Sequence, residues 1–285
     1  MEYNYEFAGI HLCICGSESI LYSDHGVLAP FVSTVHKEES TRISFDLVDQ
    51  LSPEKGICVY RDTGLQIYHS DDAWVRYAGT VGSSHMLIKR QGTQSAVECL
   101  RTAYPGGISP KTVLNAMEAE HLVVQNGGVI LHATYIRAGE RAILFTAPSG
   151  TGKSTQADLW CRFRNAELLN GDRAAIITEN GQVYACGIPF SGSSPVAKNA
   201  KLPLAAIVYL SQAPINTVTE LKGFQAFRKI WEGCSVNVWD KEDVSRASES
   251  LLKILESVPV FHLSCTPDQA AVEALESVLI QGRYL

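Results

Sequence analysis

The stretch AILFTAPSGTGKSTQADLW, from Ala142 to Trp160, limits what this chain can fold into more than any other. It reads as a buried strand, a turn of small residues and an amphipathic helix whose first turn carries Lys153-Ser154-Thr155. Strand, glycine-rich turn and helix start, in that order, make a phosphate-binding P-loop. Backbone N–H groups around Gly150–Ser154 then point into the turn, and the helix N-terminus adds its partial positive charge. The predicted nucleotide-binding residues are Ser149, Gly150, Thr151, Gly152, Lys153, Ser154 and Thr155. Lys153 is expected to reach the β- and γ-phosphates and the Ser154 hydroxyl to sit on Mg²⁺, which makes ATP and Mg²⁺ the expected cofactors. The pattern G-x-x-x-x-G-K-[ST] asks for glycine at its first position, and Ala147 stands there. An alanine implies a backbone conformation that tolerates Cβ. The competing reading is a glycine-rich turn that only joins a strand to a helix.

With 285 residues the chain has room for one large domain or two small ones. A formal net charge of −6 argues against broad binding to nucleic acid or to an anionic membrane. Eight cysteines are scattered without C-x-x-C spacing. Cys13 and Cys15 alternate on a strand and share a face, where packed thiols are expected rather than a metal half-site. The sequence shows neither an apolar N-terminal signal region nor an apolar run of membrane-spanning length. A reducing cytoplasm is the expected location.

Residues 1–110 read as a β-rich N-terminal domain, and 111–285 as an α/β domain. Strands are expected at Tyr5–Ile14, Arg42–Leu47, Ile57–Arg61, Leu65–His69, Trp74–Ala78 and His85–Lys89, with turns at Asp62-Thr63-Gly64 and Val81-Gly82-Ser83-Ser84. A helix is predicted over Lys111–Gln125, closed by Asn126-Gly127-Gly128. Strands at Val129–Ile136 and Arg141–Thr146 follow, the second feeding the glycine-rich turn. Further strands are expected at Ala166–Leu169, Ala174–Thr178, Val183–Cys186, Leu204–Leu210 and Val258–Ser264, and helices at Gly223–Glu232 and Lys241–Ser257. A last helix is expected to open with Thr266 as N-cap, Pro267 and Gln269, and to bury Val272, Leu275 and Leu279.

Phosphoryl transfer needs positioned phosphates, a metal and a group that takes a proton from the nucleophile. Asp172, in LLNGDRAAI, is the candidate acid, as Mg²⁺ ligand or as base; an ordinary turn aspartate reads equally well from spacing. His132, in VILHATYI, shares a face with Ile130 and Thr134, and the residues around it favour a packed histidine over a catalytic one. The segment Cys186–Asn199 is rich in glycine, serine and proline. Ser191, Gly192, Ser193 and Ser194 there are candidate contacts to substrate or phosphate, and Lys198 and Lys201 are expected to add positive charge. Arg173 is expected either to meet phosphate or to form an ion pair.

LHATYI, FTAPSGTGKST, NGDR and the Gly-x-Pro-aromatic-Ser-Gly segment together resemble the C-terminal domain of the HPr kinase/phosphorylase family. The resemblance is closer to the stand-alone HPr-kinase-like serine kinases, often labelled phosphoenolpyruvate carboxykinase-like, and spans residues 110–285. It implies an α/β P-loop nucleotide-binding domain of the HPr kinase/phosphoenolpyruvate carboxykinase-like type, with Lys153 on the phosphates, Ser154 and Asp172 on Mg²⁺, and His132 beside the active site. The family carries two consecutive acids after the P-loop helix. The second aligns with Asp172, and the first, the family's base, is Gly171 here. The implied activity is an ATP- and Mg²⁺-dependent kinase acting on a serine-type hydroxyl of a peptide, protein or small molecule. In that reading Asp172, His132 and Lys153 are catalytic, and Arg173, Ser191 and Gly192 contact substrate. The alternatives are a nucleotide-binding regulator with little catalysis, which Gly171 favours, and a phosphoenolpyruvate carboxykinase-type enzyme. Neither nucleic acid nor membrane is an expected partner, and the sequence leaves the oligomeric state open.

Overall fold

The computed structural model describes the whole chain except residues 18–20, 36, 38–39, 54–55, 71–72 and 81–82. It divides into two compact units, Met1–Glu118 and Ala119–Leu285. Both are built on large sheets, and the chain as a whole is mixed α/β. Among the described residues, no helix is long and apolar enough to cross a membrane.

The first unit contains β1 (Glu2–Phe7), β2 (Ile10–Cys15), β3 (Thr41–Val48), β4 (Ile57–Asp62), β5 (Leu65–Ser70), β6 (Ala73–Thr80), β7 (Ser83–Gln91), β8 (Gln94–Leu100) and the short helix α1 (Pro110–Ala116). The eight strands form one sheet in the order β1-β2-β3-β8-β7-β6-β5-β4. Strand β3 runs parallel to both β2 and β8, and the other neighbours are antiparallel. The strand expected over Tyr5–Ile14 is a hairpin. Ala8 and Gly9 take φ of 50° and 75° and reverse the chain, a turn concealed by apolar residues on both sides. Strand β8 was absent from the sequence reading because Gln94, Ser95 and Glu98 interrupt its apolar pattern. The turn at Asp62-Thr63-Gly64 is present, with Gly64 at φ 81°. In the second expected turn, Val81 and Gly82 lie outside the described residues, and Ser83 and Ser84 belong to β7.

The helix predicted over Lys111–Gln125 is two helices. Ser109 caps α1 with a hydrogen bond from the Thr112 N–H, and the chain breaks at Glu118, whose φ is 47°. The Glu118 carboxylate forms an ion pair with Arg90 at 3.2 Å. This long-range pairing competes with continued helix.

The second unit contains α2 (Ala119–Gln125), β9 (Val129–Ala138), β10 (Arg141–Thr146), α3 (Lys153–Arg164), β11 (Glu167–Asn170), β12 (Arg173–Glu179) and β13 (Gln182–Gly187). It continues through β14 (Lys201–Gln212), β15 (Thr217–Leu221), α4 (Gly223–Trp231), β16 (Cys234–Ser235), α5 (Lys241–Ser257), β17 (Val260–Cys265) and α6 (Gln269–Gln281). Its nine-stranded sheet runs β10-β9-β12-β13-β14-β17-β15, with β11 and β16 paired to β9. Strand β14 also runs parallel to β10 and β17, so β10 is held on both sides.

Alternation along these strands divides the core in two. Leu144 and Ile207 pack with Ala226, Ile230, Ala247, Leu251 and Ile254 from α4 and α5. Phe145, Val208 and Leu263 pack with Ala157, Trp160, Ala271, Val272, Leu275 and Leu279 from α3 and α6. Two helices therefore cover each face of the central strands. The expected apolar stripe of α6 is present, but its N-cap is Asp268, which accepts a hydrogen bond from the Ala271 N–H at 3.1 Å. Thr266 instead donates from its N–H to Asn216 at 2.8 Å.

Candidate functional site

The strand–turn–helix expected from the sequence is present, with β10 ending at Thr146 and α3 starting at Lys153. Gly150 and Gly152 take φ of 79° and 118°, values that L-residues rarely adopt. Ala147 needs no such conformation, which is why a Cβ is tolerated at the first motif position. The helix N-cap is Gly152, so no side chain caps α3, and its first turn carries no acid. The first intrahelical hydrogen bond runs from the Gln156 N–H to the Gly152 carbonyl at 2.9 Å. The N–H groups of Lys153, Ser154 and Thr155 precede it and face the turn.

Lys153 is only 9% exposed. Its Nζ donates to the Ala147 carbonyl at 3.0 Å, the one partner that ammonium has among the described residues. Burial lowers its pKa, and the nearby Asp172 charge opposes that effect. A buried ammonium with one neutral acceptor is under-satisfied, and an anion in the turn relieves it.

Asp172 occupies the turn between β11 and β12, fixed by the fully buried Asn170. The Asn170 Oδ1 accepts from the N–H groups of Asp172 at 2.9 Å and Arg173 at 3.1 Å, while its Nδ2 donates to the Ile188 carbonyl at 2.9 Å. One side chain thus forms the acid's turn and ties it to the segment after β13. The Asp172 carboxylate lies 3.4 Å from His132 Nε2 and 3.3 Å from Arg173 Nε. His132 is on β9, whose register sets it directly opposite Arg173. Its side chain is 39% exposed, so it is only half-buried. Burial first, then the Lys153 charge, push its pKa down, with Asp172 pulling the other way. The net effect favours the neutral imidazole.

Arg173 makes the ion pair that was one of its two expected roles, with Glu120 of α2 at 3.3 Å as well as with Asp172. Its guanidinium also lies over the Phe190 ring. Lys198 and Lys201 form ion pairs with Glu167 and Glu179.

That segment packs closely on the acid's turn. A Cβ added to Gly171 would clash with the Ser194 side chain, and one added to Gly192 would lie 2.7 Å from Asp172 Cγ. Gly171 therefore stands where an acid has no room while Ser194 holds its place. Gly171→Ala is expected to displace the Ser191–Ser194 stretch and lower any turnover at least tenfold, on the order of the effect of misplaced site groups. The double change Gly171→Ala with Ser194→Gly should recover most of it. Failure of that recovery, measured as steady-state turnover beside the single variant, would rule out steric contact as the cause.

Two cavities flank the first turn of α3. The larger, about 550 Å³, is lined by Gly150, Thr151, Gly152, Thr155, Gln156, Gln212, Cys265 and Thr266, among others. The smaller, about 250 Å³, is lined by Thr134, Ser154, Asp158, Gly171, Asp172, Ser191, Ser193 and Ser194, among others. Ser154, Asp172 and Ser191 are thus brought together. Ser149, although in the same turn, lines neither cavity, and neither do Gly192, Lys153, His132 and Arg173. Sequence reasoning missed Asp158, Asn170 and Gln156. Asp158 was legible: four residues after Ser154 on a helix, it shares that face. The contribution of Cys265 and Thr266 depends on β17 pairing beside β14, which local sequence does not encode.

No family model matches the chain, and no curated protein matches it either. Among solved structures the chain has a weak fold-level likeness to the Hpr(Ser) kinase/phosphatase from Coxiella burnetii, with 12% identity and a TM-score of 0.31, over 54% of this chain and 89% of that one.

Proposed function

We propose that the second unit is an ATP- and Mg²⁺-dependent phosphotransferase acting on a serine-type hydroxyl. The observation that carries this reading is the buried Lys153 ammonium, held by one neutral acceptor at an uncapped helix N-terminus. Such a site attracts a phosphate chain. The residues suit the cofactors: turn N–H groups and Lys153 for the β- and γ-phosphates, and Ser154 with Asp172 for the cation. Bound Mg²⁺ supplies charge neutralisation on the transferring group.

The chain's own residues divide the remaining work. The larger cavity takes the nucleoside, and the smaller takes the hydroxyl acceptor. Asp172 accepts the acceptor's proton, and the neutral His132 beside it orients the carboxylate. Asp158, lining the same cavity, offers a second acid for the cation where Gly171 offers none. Lys153 and the turn N–H groups stabilise charge on the moving phosphoryl group without reorganising.

The testing experiment measures ADP release by the purified chain with ATP and Mg²⁺, alone and with serine-containing peptides, beside Lys153→Ala. Acceptor-stimulated release is expected, falling about 10²-fold or more in the variant. Equal release by both proteins overturns the reading. A second reading, a nucleotide-dependent regulator, is favoured by Gly171 alone. It predicts nucleotide binding that Lys153→Ala weakens, with no acceptor stimulation.

A further inference from the structure

In the first unit, the register of three strands sets four chemically distinctive side chains side by side. Glu2 of β1 lies directly across from Cys15 of β2, and Arg42 of β3 lies directly across from Cys13. Cys13 and Cys15 are two residues apart on one strand, so their side chains leave the same face. The two thiols are buried, with Sγ atoms 3.4 Å apart, and Cys15 Sγ is 3.8 Å from Glu2 Oε1. All three ligand atoms lie within 4.8 Å of one another. We propose that Glu2, Cys13 and Cys15 form a zinc site whose fourth position is open to water.

The spacing fits the ion. Tetrahedral zinc with Zn–S bonds of about 2.3 Å has S···S edges of about 3.8 Å, and shorter edges to a carboxylate oxygen. The observed S···S and S···O separations of 3.4 and 3.8 Å each lie within about 0.4 Å of such edges, so small side-chain shifts would close the site. Two sulfurs with one carboxylate oxygen suit zinc's borderline character better than Mg²⁺ or Ca²⁺, which take oxygen alone. Charge also balances. Two thiolates and a carboxylate around a divalent ion sum to minus one, and the Arg42 guanidinium contacts both Glu2 and Cys13. Glu2 is exposed, which leaves an entry path and room for a water ligand.

A disulfide accounts for the pair less well. Strand geometry separates residues i and i+2 by about 6.7 Å between Cα atoms. That lies at the outer limit for a bridge, about 6.8 Å. A second cluster among the described residues, His121, Asp240 and Asp243, has a carboxylate that accepts three side-chain donors and lacks a thiol. Asp240 caps α5, and Asp243 accepts from His121, Gln125 and Asn237.

The test uses the full chain, freed of metal by a chelator, kept reduced, and titrated with Co²⁺. About one equivalent is expected to produce the near-ultraviolet thiolate-to-cobalt band and the strong visible bands of tetrahedral cobalt. Zn²⁺ then displaces both. Cys13→Ser with Cys15→Ser abolishes the bands, and Cys58→Ser, at an exposed thiol outside the cluster, retains them. Glu2→Gln, a change at an exposed position that leaves folding intact, should weaken uptake at least about tenfold. The proposal is overturned by a wild-type titration without the thiolate band, by bands that survive in the double serine variant, or by a Glu2→Gln affinity equal to wild type.

Discussion

Asp172→Asn is expected to lower acceptor-dependent turnover by about 10²–10⁴-fold, the range for loss of a positioned base. Nucleotide affinity should change less, because Ser154 and Asp158 remain for the cation that Asp172 is proposed to share. The asparagine keeps the shape of the side chain, and Asn170 continues to hold the turn through the backbone N–H groups of residues 172 and 173. What disappears is the acceptor for the hydroxyl proton, along with the negative charge facing His132 and Lys153. Lys153→Ala should produce the opposite pattern, with weakened nucleotide binding as well as slow turnover, because it removes the charge at the turn. Measuring nucleotide affinity by calorimetry beside single-turnover phosphoryl transfer separates the two. If Asp172→Asn retains turnover within tenfold of wild type, Asp172 is not the base, and Asp158 becomes the next acid to remove.

The parts of this site that the sequence made legible are those encoded within one short segment. Lys153, Ser154 and the left-handed Gly150 and Gly152 follow from a single strand–turn–helix pattern. Asp172 was visible only as a polar turn between apolar runs, since its position depends on Asn170 reaching Ile188, 18 residues on. His132 was legible only as a partly buried strand residue. Its flanking residues are buried, yet it stands opposite Arg173, the first residue of β12, and keeps a partly exposed side chain. Fold-level misses follow the same division. The Lys111–Gln125 periodicity was real on both sides of Glu118, and the break comes from a residue in φ 47° paired with distant Arg90. The ion pairs of Lys198 and Lys201 were not legible because Glu167 and Glu179 lie on other strands.

The largest expected stability change lies away from the cavities, at Asp243 in the first turn of α5. It is 1% exposed and accepts hydrogen bonds from His121 Nδ1 at 2.9 Å, Gln125 Nε2 at 3.2 Å and Asn237 Nδ2 at 3.0 Å. Asp243→Ala leaves three donors without their acceptor, and is expected to cost at least about 1–3 kcal/mol, the range for one buried polar group left unsatisfied. Urea denaturation should show a lower midpoint with an unchanged slope. Burial works to raise the Asp243 pKa, but His121, Asn237 and Gln125 together outweigh it and hold the value below the ordinary 3.8. A depressed carboxyl stabilises fully above its unfolded value and loses that contribution as pH falls through its folded one. The gap between wild type and Asp243→Asn should therefore narrow as the pH falls below about 4. A loss under about 1 kcal/mol at pH 7, or a gap that widens in acid, would count against the charged clamp. The clamp also bears on the site. On α2, His121 holds Asp243 while its neighbour Glu120 holds Arg173, the residue that flanks Asp172. Loosening α2 through Asp243 should therefore slow turnover even at temperatures where the variant remains folded, because the acid's turn loses one of its two anchors.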